Sequence, residues 1–140
     1  FLIMLPINQI YCGNSLDLLK QVDDNSIDLH IHSPPYAKLK DYWICKGINP
    51  DEYVNWYLPF AAEIYRTLDT KGVFILNIND CVIKGHRHIY VFDLIVKLVK
   101  EIGFNLTERL IWNKMKSLCH PKRFRDVAEY IFVLTKSIQF

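Results

Sequence analysis

Apolar and polar positions along this chain fall into alternating blocks of strand length and helix length. Residues 9–12 read as a short strand, followed by Gly13 and a helical turn over residues 15–20. Asp23, Asp24, Asn25 and Ser26 form a turn, and residues 27–32 form the next strand. Pro34 and Pro35 then forbid both helix and sheet pairing. Residues 37–50 are polar and aromatic-rich with no period, which predicts a loop.

Asp51 has the character of an N-cap for a long helix, because Tyr53, Tyr57, Phe60, Ala61, Ile64 and Leu68 recur at helical spacing. Pro59 inside it predicts a kink or a break. Residues 69–72 end the helix, and residues 73–78 are an apolar run of the kind expected of a buried parallel strand. After a loop over 79–85, residues 89–102 read as a second helix, stopped at Gly103. Two further strands follow at 106–112 and 127–134. The alternation predicts an open α/β sheet in a single domain spanning residues 1–140. Ligands of such sheets bind at the carboxyl ends of strands, which singles out Gly13 and Asn14, Ser33 to Tyr36, and Asn79 and Asp80.

Composition refines this picture in a few places. With 51% hydrophobic and 14% aromatic residues, the chain has the makings of a folded core. Net charge is only +2, but Lys114, Lys116, Lys122, Arg123 and Arg125 follow one another with no acid among them, and His120 joins them. That run reads either as a solvated loop or as a phosphate-contacting one. The four cysteines lie more than thirty residues apart and form no C-x-x-C pair, so a metal site is not expected and reduced thiols are. His86 and His88 near Cys81 read as surface or loop histidines. No apolar run reaches the length of a membrane span. These features predict a cytoplasmic protein.

Ser33-Pro34-Pro35-Tyr36 is the sharpest chemical feature. Two prolines stiffen a strand end and fix the direction of nearby carbonyls, with a hydroxyl before them and an aromatic ring after. Tyr36 can stack on a planar substrate while the Ser33 hydroxyl and the Pro34 carbonyl accept amino protons. Accepting those protons leaves the nitrogen lone pair available to attack an electrophilic methyl group.

Together with Ile10 to Leu19, Asn25 to Leu29, Tyr65 to Leu68, Gly72 to Asn77, Leu110 to Lys114 and Glu129 to Leu134, this motif resembles the amino-methylating DNA methyltransferases. These enzymes make N4-methylcytosine or N6-methyladenine. The resemblance implies a Rossmann-like sheet, mostly parallel with a C-terminal antiparallel hairpin, and S-adenosylmethionine as cofactor. It implies Ser33, Pro34, Pro35 and Tyr36 as the catalytic motif, and serine in its first position favours cytosine over adenine. Gly13, Asn14 and Ser33 fall at cofactor positions, with Asn14 standing where the family usually has an acid. Lys38, Lys40 and Tyr42, together with the basic run, fall where DNA is expected, and a base in a duplex would have to flip out to reach the motif. The family's glycine-rich cofactor segment has no counterpart, since all five glycines are isolated. The order matches a permuted arrangement with the catalytic motif first, and predicts an incomplete sheet. That sheet would be completed by dimerisation or by a second chain carrying the cofactor half. The rival readings are an adenine-N6 enzyme, or an inactive fragment serving only as a DNA-binding or assembly module.

Overall fold

The computed structural model describes residues 5–37, 47–114 and 127–138. Within them runs a mixed α/β fold built on a four-stranded sheet. Helix α1 (Ser15–Leu19) is followed by β1 (Ile27–His32), α2 (Pro50–Thr67) and β2 (Leu68–Ile78). Strand β1 pairs parallel with β2, and α2 is the crossover between them. A short hairpin, β3 (Cys81–Ile83) and β4 (His86–His88), precedes α3 (Tyr90–Lys97) and a π-helical turn over Leu98–Ile102. Strand β5 (Asn105–Asn113) then returns as β6 (Ala128–Thr135), antiparallel to β5 on one side and to β2 on the other. The α/β alternation and the C-terminal antiparallel hairpin are both present.

One face of the sheet carries the core. His30, Phe74, Leu76, Ile78, Phe132 and Leu134 point into it, and α2, α3 and the π-helical turn cover it with Tyr53, Tyr57, Ala61, Ile64, Val91, Leu94 and Leu98. On the other face the paired positions Leu29, Val73, Ile31, Ile75, Val133, Ile131, Leu110 and Trp112 are half-buried or exposed.

Several boundaries differ from the sequence expectation, each for a physical reason. Residues 9–12 form no strand: Ile10 is fully exposed, and a short segment without a pairing neighbour has nothing to satisfy its backbone. Helix α2 is capped by Asn49, whose side chain accepts from the Asp51 N–H at 3.4 Å, with Pro50 in the first turn. Asp51 is therefore a first-turn acid and not the cap. Pro59 does not break α2, because it sits on the exposed side while the buried stripe continues past it.

The helix ends at Thr67, and residues 69–72, expected as a turn, belong to β2. Gly72 explains the tight join. A Cβ there would come within 2.9 Å of the Ile27 carbonyl oxygen and 2.8 Å of the Leu68 side chain. The expected loop over 79–85 contains β3 and the start of the hairpin turn, where Lys84 and Gly85 adopt φ of 50° and 83°.

Candidate functional site

Strand β1 delivers Ser33 to Tyr36 to the carboxyl edge of the sheet. Ser33 is exposed, Pro34 is buried, Pro35 and Tyr36 are half-buried, and Ala37 is completely buried. The segment is anchored from two sides. From α2, Tyr53 donates its hydroxyl proton to the Pro35 carbonyl at 2.9 Å. From the sheet, the Tyr36 hydroxyl lies 3.3 Å from Asn77 Oδ1 and 3.2 Å from Glu129 Oε2.

Asn77, near the end of β2, has its amide orientation fixed by the Tyr130 carbonyl, to which Nδ2 donates at 3.2 Å. That leaves Oδ1 turned to Tyr36. Glu129, near the start of β6, also receives Lys114 Nζ on its other carboxylate oxygen at 3.1 Å. The tyrosine of the motif is thus held at its hydroxyl end by residues of β2 and β6.

The next strand end is braced as well. Asn79 and Asp80 are buried; Asn79 Nδ2 donates to the Ala128 carbonyl at 3.1 Å, and Asp80 pairs with Arg87. Tyr90 of α3 donates to the Asn79 carbonyl. Burial raises the Tyr90 phenol above its usual range, so it remains a donor. Asn79 and Asp80, expected as ligand positions, are engaged in holding β2, β6, the small hairpin and α3 together.

Gly13 and Asn14 lie at the entry to α1. The Asn14 side chain caps that helix, accepting from the Leu16 N–H at 2.9 Å, and both residues are exposed. Among the expected DNA contacts, Lys114 is paired with Glu129 beside Tyr36, a partner that the sequence did not predict. Lys38, Lys40, Tyr42, Lys116, Lys122, Arg123 and Arg125 lie outside the described residues, as does His120. Cys12 is exposed and Cys81 buried. Among the described residues no cluster of three or more His, Cys, Asp or Glu side chains could hold a metal, and no helix is long and apolar enough to cross a membrane. A cavity of about 330 Å³ lies elsewhere, between the start of α2 and the β3–β4 hairpin, lined in part by Asp51, His86, Arg87 and His88.

Sequence reasoning missed Tyr53, Asn77 and Glu129. Tyr53 sits in the apolar stripe of α2 and reads as core. The only trace of Asn77 is a lone amide closing an apolar run, and Glu129 is a single acid at the head of another.

The geometry provides a half-buried aromatic ring fixed at its far end, beside an exposed hydroxyl and a rigid pair of prolines. Such an arrangement has the groups to receive a flat, amino-bearing ring. A family model described as DNA methylase matches residues 27–140. The chain belongs to the N6/N4 DNA methylase family. Among its relatives is the Type II methyltransferase M.PvuII of Proteus hauseri, 34% identical over 116 residues, covering 80% of this chain and 34% of that protein. The solved PvuII cytosine-N4-specific DNA methyltransferase superposes with a TM-score of 0.76 at 30% identity, covering 91% of this chain and 48% of that one. A Thermus thermophilus protein described as a DNA modification methylase, complexed with S-adenosyl-L-methionine, shares the fold at a TM-score of 0.71 and 20% identity, covering 91% of this chain and 53% of that one. The chain spans about a third of the length of the curated relatives it matches, and about half of the solved ones.

Proposed function

We propose that this chain is the acceptor half of a DNA methyltransferase that methylates an exocyclic base amino group, with cytosine N4 as the target. The observation that carries this reading is Tyr36, half-buried at a strand end, its hydroxyl held by Asn77 and Glu129 and its neighbouring carbonyl held by Tyr53. The ring stacks on the flipped base. The Ser33 hydroxyl and the Pro34 carbonyl accept the amino protons, so the nitrogen keeps its lone pair for attack. S-adenosylmethionine, when bound, supplies the electrophilic methyl group. Similarity to the cytosine-N4-specific PvuII enzyme supports cytosine over adenine.

The described residues fit the acceptor side of this chemistry better than the cofactor side. Gly13 and Asn14 are exposed and accessible, but Gly72 is packed against β1, and Gly85 and Gly103 serve turns. The open sheet face, continuous with Asn77 and Glu129, supports docking of a second chain that carries a glycine-rich cofactor segment. The protein then works on duplex DNA in the cytoplasm of a prokaryotic host.

The test is incubation of the chain, alone and combined with the cofactor half of a PvuII-type enzyme, with S-adenosylmethionine and duplex DNA, followed by nucleoside mass analysis of the treated DNA. N4-methyldeoxycytidine that disappears in Tyr36→Ala is the expected product. N6-methyldeoxyadenosine would reassign the base. Unmodified DNA, even with that cofactor half added, would overturn the proposal.

A further inference from the structure

Glu129 is a part-buried acid with three donors around it, and the proposed chemistry uses it only as one of the groups near the Tyr36 hydroxyl. Its side chain is only 14% exposed, yet its carboxylate faces three donors from three parts of the fold. Oε2 lies 3.2 Å from the Tyr36 hydroxyl and 3.5 Å from Asn77 Nδ2, and Oε1 lies 3.1 Å from Lys114 Nζ. A carboxylate withdrawn from water is costly unless such partners replace its hydration. Here they come from the segment after β1, from β2 and from the end of β5.

The bland account is that Glu129 merely ties the β5–β6 hairpin to β2. Backbone pairing already does that over most of β6, from Ile78 opposite Tyr130 to Val73 opposite Thr135. What backbone pairing cannot do is fix a ring that lies outside the sheet. A phenol anchored at its hydroxyl loses rotation about χ1 and χ2, so the ring is ordered before a base arrives and less order has to be imposed on binding.

We infer that Glu129 is a positioning residue for the base site: held by Lys114 and Asn77, it clamps the Tyr36 hydroxyl and so presets the stacking plane. This rests on the reading of Tyr36 as a base-stacking residue. Lys114 thereby acts inside the site, as counter-ion to the clamp.

The experiment is a double-mutant cycle on the chain, read as affinity for a short single-stranded oligodeoxycytidylate, with thermal unfolding followed in parallel. Tyr36→Phe removes only the hydroxyl, and Glu129→Ala removes its carboxylate acceptor together with the partner of Lys114 and Asn77. Each should weaken binding roughly three- to tenfold, and the double variant should be no weaker than either single. Glu129→Gln keeps an acceptor oxygen and should recover part of the affinity, which also covers the case in which the alanine variant fails to fold. Multiplying effects in the double variant, or a lowered unfolding temperature with unchanged affinity, would overturn the clamp while leaving Tyr36 as the stacking residue. A Tyr36→Ala variant that binds as tightly as the parent would sink the stacking reading itself, and the clamp with it.

Discussion

Tyr53 and Gly72 show how single side chains, or the lack of one, set the geometry around the motif. The Tyr53 hydroxyl is the only part of that residue not spent on packing against Trp56, Tyr57 and Tyr90, and it goes to the Pro35 carbonyl. Tyr53→Phe keeps the packing and removes the anchor. We expect a loss of about 0.5–1.5 kcal/mol in chemical denaturation, together with weaker oligodeoxycytidylate binding. Unchanged binding would mean the prolines alone fix that segment. Gly72 acts by absence: a methyl group there meets two backbone carbonyl oxygens of β1, Ile27 at 2.9 Å and Asp28 at 3.0 Å. Gly72→Ala should destabilise the chain by about 1–3 kcal/mol, read from the denaturation midpoint, because backbone cannot yield as a side-chain tip can.

At the scale of elements, β1 is unusual for the histidines on its buried side. The Thr67 hydroxyl lies 2.8 Å from the Glu63 carbonyl, to which it can donate, and its oxygen is then available to His30 Nε2 at 3.0 Å. Burial, with a smaller contribution from His32, pushes His30 down to about 4, and burial lowers His32 as well. Both rings are therefore neutral in the fold, while in the unfolded chain they take up protons near pH 6.5. The unfolded state binds more protons between those values. The stabilising contribution is complete above about pH 6.5 and is lost as the pH falls towards 4. Thermal midpoints should fall steeply across that window, and His30→Gln should flatten the profile. A flat profile in the parent would contradict the neutral assignment. Helix α2 makes a related point about summed effects. An interior proline costs about 3 kcal/mol, yet Tyr53, Val54, Tyr57, Ala61 and Ile64 on one stripe offset that through burial, and the helix runs on through Pro59.

For the whole molecule, the decisive asymmetry lies between the two faces of the sheet. One is covered by α2 and α3, whereas on the other Leu29, Ile31, Leu110 and Trp112 are each at least half exposed. Exposed apolar faces commonly mark interaction surfaces, and docking on this one is the proposal to be tested. The chain by itself should therefore sediment heavier than a monomer at micromolar concentration, and Ile31→Lys should shift it towards monomer without lowering its unfolding temperature. A strictly monomeric parent would remove the case for docking on this face.

The sequence by itself determined the local and the rigid. Alternation of apolar runs fixed β1, α2, the core of β2 and the closing hairpin, because burial on one side imposes a period on the chain. The Ser33 to Tyr36 motif was legible because prolines act on their own backbone, whatever the surroundings. Only the tertiary structure decided the rest. Strands β3 and β4 are too short to show a pattern, and residues 9–12 had the pattern but no neighbour. Tyr36 meets Asn77 and Glu129 across sequence separations of 41 and 93 residues, and Pro35 meets Tyr53 across 18. Such contacts follow from which strands pair and in what register, and no local preference encodes them.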